Sequence, residues 1–368
     1  MFDGLRVLEL ASVLAGPSVG QFFAELGAEV IKIENPATGG DVTRSWKSSG
    51  ESTDDRSAYF CCCNWGKKSV CLDLRNADEQ ATLHRLVARA DIVLSSFKSG
   101  DDKKLGVDYA TLSALNPKLI CGQITGYGPL DDRVGYDAVI QAESGFMSMN
   151  GEPDGAPLKM PVALVDVLAA HHLKEGLLLA LMSRSQDGRG RLVSVSLWDA
   201  AVASLANQAT NFLVGGAVAR PTGSAHPNIA PYGDSYATSD GKRILLAVGT
   251  DRQFSDLCRV VGLEVRREWS DNAGRVRNRS ALSESLAGQI SNLGSSELMD
   301  QFRACKVPAG MIMNVGEVFA IPGIEGLVLD SGSLRGPRQW VADGFGRAMR
   351  LSPPPHLGEH TEEVLNRL

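Results

Sequence analysis

The sequence predicts an α/β protein, with a large unit built on a parallel sheet and a smaller α+β unit carried by the later part of the chain. Two observations carry this. From Leu5 to Leu197, short apolar runs alternate with segments of helical period, the pattern of strand–helix–strand units whose strands lie parallel. After a stretch rich in Gly, Pro, Ala and Ser (215 to 231), the pattern changes to a hairpin signal at Asp240-Gly241 followed by helices, which suggests antiparallel strands. The expected units are therefore 1–214, 215–322 with its linkers, and 323–368, which returns to the first.

Leu5-Arg-Val-Leu-Glu-Leu10 reads as the first strand, and Pro17 with Ser18 behind it opens a helix that closes at Glu25 to Ala28. Val30 to Glu34 is the next strand. No Gly-x-Gly-x-x-Gly lies between them, so the topology is Rossmann-like without a nicotinamide site. Ser69 to Leu74, Ile92 to Leu94 and Leu119 to Ile124 are further strands, with an amphipathic helix over Ala77 to Ala90. A helix follows Gly135-Tyr136-Asp137 and runs to about Met149. Val162-Ala-Leu-Val165, behind Pro161, reads as an interior strand that delivers Asp166 where the helical period of Val167 to Met182 begins. Arg191 to Leu197 is one more strand. Tyr232 to Thr238 and Arg243 to Val248 form the hairpin, and helical patterns fill much of Asp251 to Arg303.

Net charge is −6, so nothing global favours nucleic acid or an anionic membrane. The apolar runs are too short to span a bilayer, and Met1 leads directly into a strand pattern, so a cytoplasmic protein is expected. The seven cysteines form no Cys-x-x-Cys and read as free thiols, with no metal site expected.

Asp166 is the candidate for chemistry, because ligands of open α/β sheets bind beyond the carboxyl ends of the strands. Asp is also a favoured N-cap, so the same position has a purely structural reading. His356-Leu-Gly-Glu-His360 matches a zinc-peptidase pattern, but Pro353 to Pro355 and Gly358 break the helix that pattern needs, and Thr361 with two following glutamates reads as a helix cap. Gly66-Lys-Lys-Ser69 lacks the earlier glycine of a phosphate loop. Lys67, Lys68, Lys98, Lys103 and Lys104 lie in or near loops at strand ends and are candidates to hold a polyphosphate.

Taken in order, Leu5 to Leu10, Ala15-Gly-Pro17, Leu26-Gly-Ala-Glu-Val-Ile-Lys-Ile-Glu34, Gly40-Asp41 with Arg44, Asn64-Trp-Gly-Lys-Lys-Ser69, Leu72-Asp-Leu74, Gly126-Tyr-Gly128, Gly135-Tyr-Asp137, Ala163-Leu-Val-Asp166, Pro231-Tyr-Gly233 and Leu357-Gly-Glu-His-Thr361 resemble the class III CoA-transferase family, which includes formyl-CoA transferase, carnitine CoA-transferase and α-methylacyl-CoA racemase. The resemblance spans almost the whole chain. It implies a Rossmann-like large domain made from both chain ends, a small domain between them and an interlocked homodimer. It further implies an enzyme that binds no permanent cofactor and takes acyl-CoA and a carboxylic acid as substrates.

By the same resemblance Asp166 is the nucleophile, passing through an anhydride and an aspartyl-CoA thioester. Coenzyme A would contact Ser12, Val13, Leu14, Leu72, the Ser96-Phe97-Lys98 loop and Lys104-Leu105. Tyr136 and Asp137 would line the acyl pocket, and His226 and Asn228 near the domain crossing are candidates to reach the acceptor. The chain departs from the family at Ser96 (usually Asn), at Ser99 (usually Pro), at Pro161 (usually Gly) and in Val167 to His171, which lacks a usual glycine. These changes bear on the adenine-side loop and on the acyl pocket. The racemase branch carries a His where this chain has Tyr136, a poorer proton-transfer partner at neutral pH, which favours transfer over racemisation. A 2-methylacyl-CoA racemase, and a CoA-binding protein without turnover whose Asp166 is only a cap, are the alternatives.

Overall fold

The computed structural model describes residues 1–98, 100–342, 344 and 351–368; Ser99, one of the departures above, lies outside them. Six strands, β1 (Arg6–Glu9), β2 (Glu29–Glu34), β3 (Lys67–Cys71), β4 (Ile92–Ser95), β5 (Ile120–Thr125) and β6 (Arg191–Ser196), form one sheet in the order β3-β2-β1-β4-β5-β6. Every pairing in it is parallel. The order reverses between β1 and β4, and a doubly wound sheet opens its ligand crevice at such a point.

Apolar side chains cover both faces of the sheet, as buried parallel strands require. One layer packs Val19, Phe22 and Phe23 of the first helix (Ala15–Glu25) against Leu173 and Leu177 of a long helix (Leu164–Asp187). The other packs Leu83, Leu86 and Leu112 with Val364, which ties the end of the chain to this unit.

The chain divides into two compact units. One holds Met1–Phe146, Lys159–Ala217 and Glu325–Leu368; the other holds Met147–Leu158 and Val218–Ile324. The segment 147–158, expected within the first unit, thus packs with the second. That second unit has an antiparallel sheet of β7 (Tyr232–Ala237), β8 (Arg243–Ala247) and β9 (Ala309–Met311) over a core including Phe254, Trp269, Leu286 and Phe302.

Three local expectations change. Val162 to Val165 is not a strand: the helix begins at Leu164. A run of four apolar residues does not distinguish a strand from a buried helix start. Val165, Ala169, Leu173 and Leu177, all at most 1% exposed, repeat every four residues and carry the helical face back through the supposed strand. The helix after Tyr136 stops at Glu143, followed by a separate 3-10 turn at Met147–Met149. Thr361 does not cap its helix; its hydroxyl accepts from the Cys71 N–H at 3.0 Å and donates to the Gly358 carbonyl at 2.8 Å, so it pins the chain end to β3.

Candidate active site

The loop after β1 is held from below by a buried charge network. Val13 sits at φ 72° and its N–H points to the Asp41 carboxylate at 3.3 Å. Asp41 pairs with Lys32 at 2.9 Å, and Lys32 and Lys67 both reach Glu9, at 2.9 and 2.7 Å. Burial by itself would lower Lys32, but Glu9, Asp41 and Glu34 outweigh it and hold the ammonium well above the usual lysine range. Gly20 makes room for this: a Cβ there would lie 1.8 Å from Glu9 Oε2.

Lys67 is therefore a structural cation. Its ammonium is spent on Glu9, Asn64 and the Pro17 carbonyl, so it cannot serve a polyphosphate. Lys68 is likewise engaged by Glu29 and Glu363. The histidines of the zinc-like motif diverge, His356 toward Asp55 and His360 to the backbone of Ser69, and residues 357–360 form a turn.

Two adjoining clefts, each of about 340 Å³, open at the carboxyl edge of the sheet. One brings together Ser12, Val13, Leu14, Ser96, Phe97, Lys98, Tyr136, Asp137 and Asp166. The other takes Leu72 and Leu105 and shares Ser12 and Phe97 with the first. The Ser12 N–H donates to Ser96 Oγ at 3.3 Å, so the two loops meet through the residue that departs from the usual asparagine. Lys98 stands exposed at the rim. Lys104 lines neither cleft; it is exposed and pairs with Asp101 at 2.7 Å. The uncapped N-terminus of the first helix, with Ala15 and Gly16 in the cleft wall, favours an anion there.

Two glycines set the approach to Asp166. A Cβ on Gly126, just beyond β5, would lie 2.7 Å from the Gly135 Cα, and one on Gly135 would lie 2.3 Å from the Gly126 Cα, so the strands of chain cross at a distance only glycines permit. That crossing delivers Tyr136, exposed and in the cleft wall, and Asp137. Asp137 Oδ1 accepts from the Val165 N–H at 2.7 Å and the Asp166 N–H at 3.4 Å. Asp137 thus caps, from outside, the helix that carries Asp166. Asp166 lies in the first turn of that helix and is not its cap, which removes the geometry behind the purely structural reading.

The Asp166 side chain is 9% exposed, and among the described residues none donates a hydrogen bond to its carboxylate. Burial, and then the charge of Asp137, push its pKa up to about 7. A carboxylate stripped of water and of donors is a strong nucleophile for a carboxylate, and it is available near neutral pH.

His226 and Asn228 belong to the second unit, where the Asn228 N–H donates to His226 Nδ1 at 3.1 Å and the His226 ring packs on Tyr232. Trp46 and Arg133 also line the Asp166 cleft and were not legible from the sequence: each sits in an irregular polar stretch with no periodic or motif signal.

Residues 2–361 match the model of CoA-transferase family III, and the chain belongs to that family. It is 38% identical to the succinate–glutarate CoA-transferase of Agrobacterium fabrum, over 100% of this chain and 95% of that one. It is 31% identical to the human succinyl-CoA:glutarate CoA-transferase, over 100% of this chain and 85% of that one. A crystal structure of a CaiB/BaiF family protein from Brucella suis superposes with a TM-score of 0.89 at 38% identity, covering 100% of this chain and 98% of that one. The protein is a class III CoA-transferase, and among its described residues no helix is long and apolar enough to cross a membrane.

Proposed function

We propose that this enzyme moves CoA from an acyl-CoA donor to a carboxylic acid with Asp166 as the covalent nucleophile, and that donor and acceptor are dicarboxylic, as the names of its relatives suggest. The observation that carries the proposal is the Asp166 carboxylate, buried and, among the described residues, without donors at the inner wall of the cleft formed by the Ser12 to Leu14 and Ser96 to Lys98 loops.

An Asp166 oxygen attacks the thioester carbonyl, the C–S bond breaks, and CoA leaves as thiolate from a mixed anhydride. The thiolate attacks the Asp166 carbonyl carbon, the anhydride C–O bond breaks, and the donor acid departs as a carboxylate, leaving an aspartyl-CoA thioester. The acceptor carboxylate repeats the first step on this thioester. The returning thiolate then attacks the acceptor's acyl carbon and restores Asp166. No net proton is consumed, so Asp166 need only be ionised. The overall exchange turns one thioester into another, and covalent catalysis divides it into acyl transfers that each break one acyl bond as another forms.

Tyr136 lines the pocket and orients the acyl group, and the enzyme works as an interlocked homodimer. The test is to incubate the protein with succinyl-CoA and glutarate in deuterated water and follow the thioesters. Glutaryl-CoA without deuterium at its α-carbon supports the reading. Deuterium exchange without transfer points to the racemase, and neither reaction despite CoA binding points to an inactive binder.

A further inference from the structure

Beside the Asp166 cleft lies a third cleft of about 520 Å³, which shares Leu14 with it. Its floor is one face of the long helix, Val167, Ala170, His171 and Lys174, the i, i+3, i+4, i+7 spacing of a single stripe. Lys174 is 5% exposed, yet among the described residues no carboxylate comes within ion-pair distance of its ammonium, which lies 5.4 Å from the Phe22 ring centroid. The acid that acts on it, Glu25, is already engaged by Gln21, by the Gln339 and Trp340 N–H groups and by Arg338. A buried ammonium left without a counter-charge is costly unless a ligand supplies one.

A further cation, Lys159, stands exposed at the rim beside His171, whose imidazole is held below the usual histidine range by burial and then by the charge of Lys174. Burial lowers Lys174 to about 8, so the ammonium is still mostly charged at neutral pH. Tyr59 lines this cleft, and its phenol is pushed up by burial and then by neighbouring negative charges, that of Asp166 among them. Asp166 and Lys174 are eight residues apart on one helix, about 12 Å along its axis, and the long lysine stem leans back toward the N-terminus.

We infer that Lys174 is a specificity residue that binds the second carboxylate of a short dicarboxylic substrate while the first reacts at Asp166. This rests on the transferase reading above. A single carboxylate bound in water-poor surroundings by one ammonium, with His171 and Lys159 nearby, would distinguish a diacid from the corresponding monoacid by about 10- to 100-fold.

The test is calorimetric titration of the full-length protein and its Lys174→Met variant with glutarate and with butanoate, alongside CoA transfer to the same two acids. Methionine keeps the length and removes the charge, and replacing an unpaired buried charge by an apolar group is compatible with folding. The native protein should bind glutarate the more tightly, and Lys174→Met should weaken glutarate by about 10- to 100-fold while leaving butanoate within about threefold. Should the variant fail to fold, labelling native Lys174 with acetic anhydride answers instead: glutarate should protect it and butanoate should not. Unchanged glutarate binding in the variant, no preference for the diacid, no protection by glutarate, or no labelling of Lys174 at all would each overturn the inference. Lys174-dependent glutarate binding without any CoA transfer would sink the transferase reading alone; transfer to glutarate undiminished by Lys174→Met would sink the inference alone.

Discussion

Glu9 and Asp166 are both carboxylates buried in the same unit, and their surroundings are opposite. Glu9, fully buried at the end of β1, meets two ammonium groups, Lys32 and Lys67, and its network continues through Asp41 to the backbone of Val13. Among the described residues Asp166 meets no ammonium group, and burial and then the like charge of Asp137 act on it. The first arrangement fixes a loop; the second, on the function proposed above, keeps a carboxylate reactive. Burial alone says nothing about which role a charge has, whereas the presence or absence of a partner does. Lys174, buried and unpaired on the helix of Asp166, falls on the reactive side of the same division.

The comparison breaks if the two carboxylates respond alike to removal. Asp166→Asn should reduce CoA transfer by about 10⁴-fold or more while leaving the fold intact, read by steady-state kinetics beside a thermal melt. Glu9→Gln should do the reverse. It leaves the buried Lys67 without a carboxylate and Lys32 with Asp41 alone, so a loss of about 3–5 kcal/mol in stability is expected, measured by denaturant unfolding. If Glu9→Gln melts like the native protein, the network is not what holds the first loop.

The pH dependence sharpens the contrast. Asp166 has a folded pKa of about 7, above the roughly 3.9 of an unfolded aspartate. Its contribution to stability is therefore complete below about pH 4 and is lost as the pH rises through about 7, a change of a few kcal/mol at most. Asp166→Asn should flatten stability against pH across that window and gain most at the alkaline end. A profile parallel to that of the native protein would mean that Asp166 is ionised with an ordinary pKa. For catalysis the sign is opposite, because the carboxylate must be ionised, so transfer should fall as the pH drops below about 7.

The smallest effect concerns Asp137. Asp137→Asn keeps an oxygen to cap the helix and removes the charge beside Asp166, so the acid limb of the rate profile should move to lower pH, raising transfer at pH 6 by about two- to fivefold. Asp137→Ala removes the cap as well and should cost about 1 kcal/mol in the melt. An unmoved acid limb in Asp137→Asn would leave burial as the whole cause of the perturbed Asp166.

Much of this was legible in the sequence, and the failures have physical causes. The six strands of the parallel sheet announce themselves as apolar runs between helical periods, and the loops carrying Ser12 to Leu14 and Ser96 to Lys98 follow from where those strands end. Asp166 was placed correctly at the carboxyl edge but on the wrong element, because Val162 to Val165 is too short for period to separate strand from helix. Lys67 and Lys68 looked like ligand cations because a sequence does not show where a long side chain finds its partner; Glu9, 58 residues from Lys67, and Glu29, 39 residues from Lys68, decide it. Nothing in the sequence singles out Lys174, between Leu173 and Glu175, and only the packing of the first helix against the long one shows it buried. The cap that Asp137 gives to Val165 joins residues 28 apart and has no local signature.

The most direct test of the central claim is to mix the protein with succinyl-CoA, quench with hydroxylamine and map the modified peptide by mass spectrometry. An aspartyl hydroxamate at Asp166, absent without the acyl-CoA and absent in Asp166→Asn, is the predicted result. A protein that completes CoA transfer under the same conditions with Asp166 unmodified, or with the hydroxamate on another residue, would contradict it.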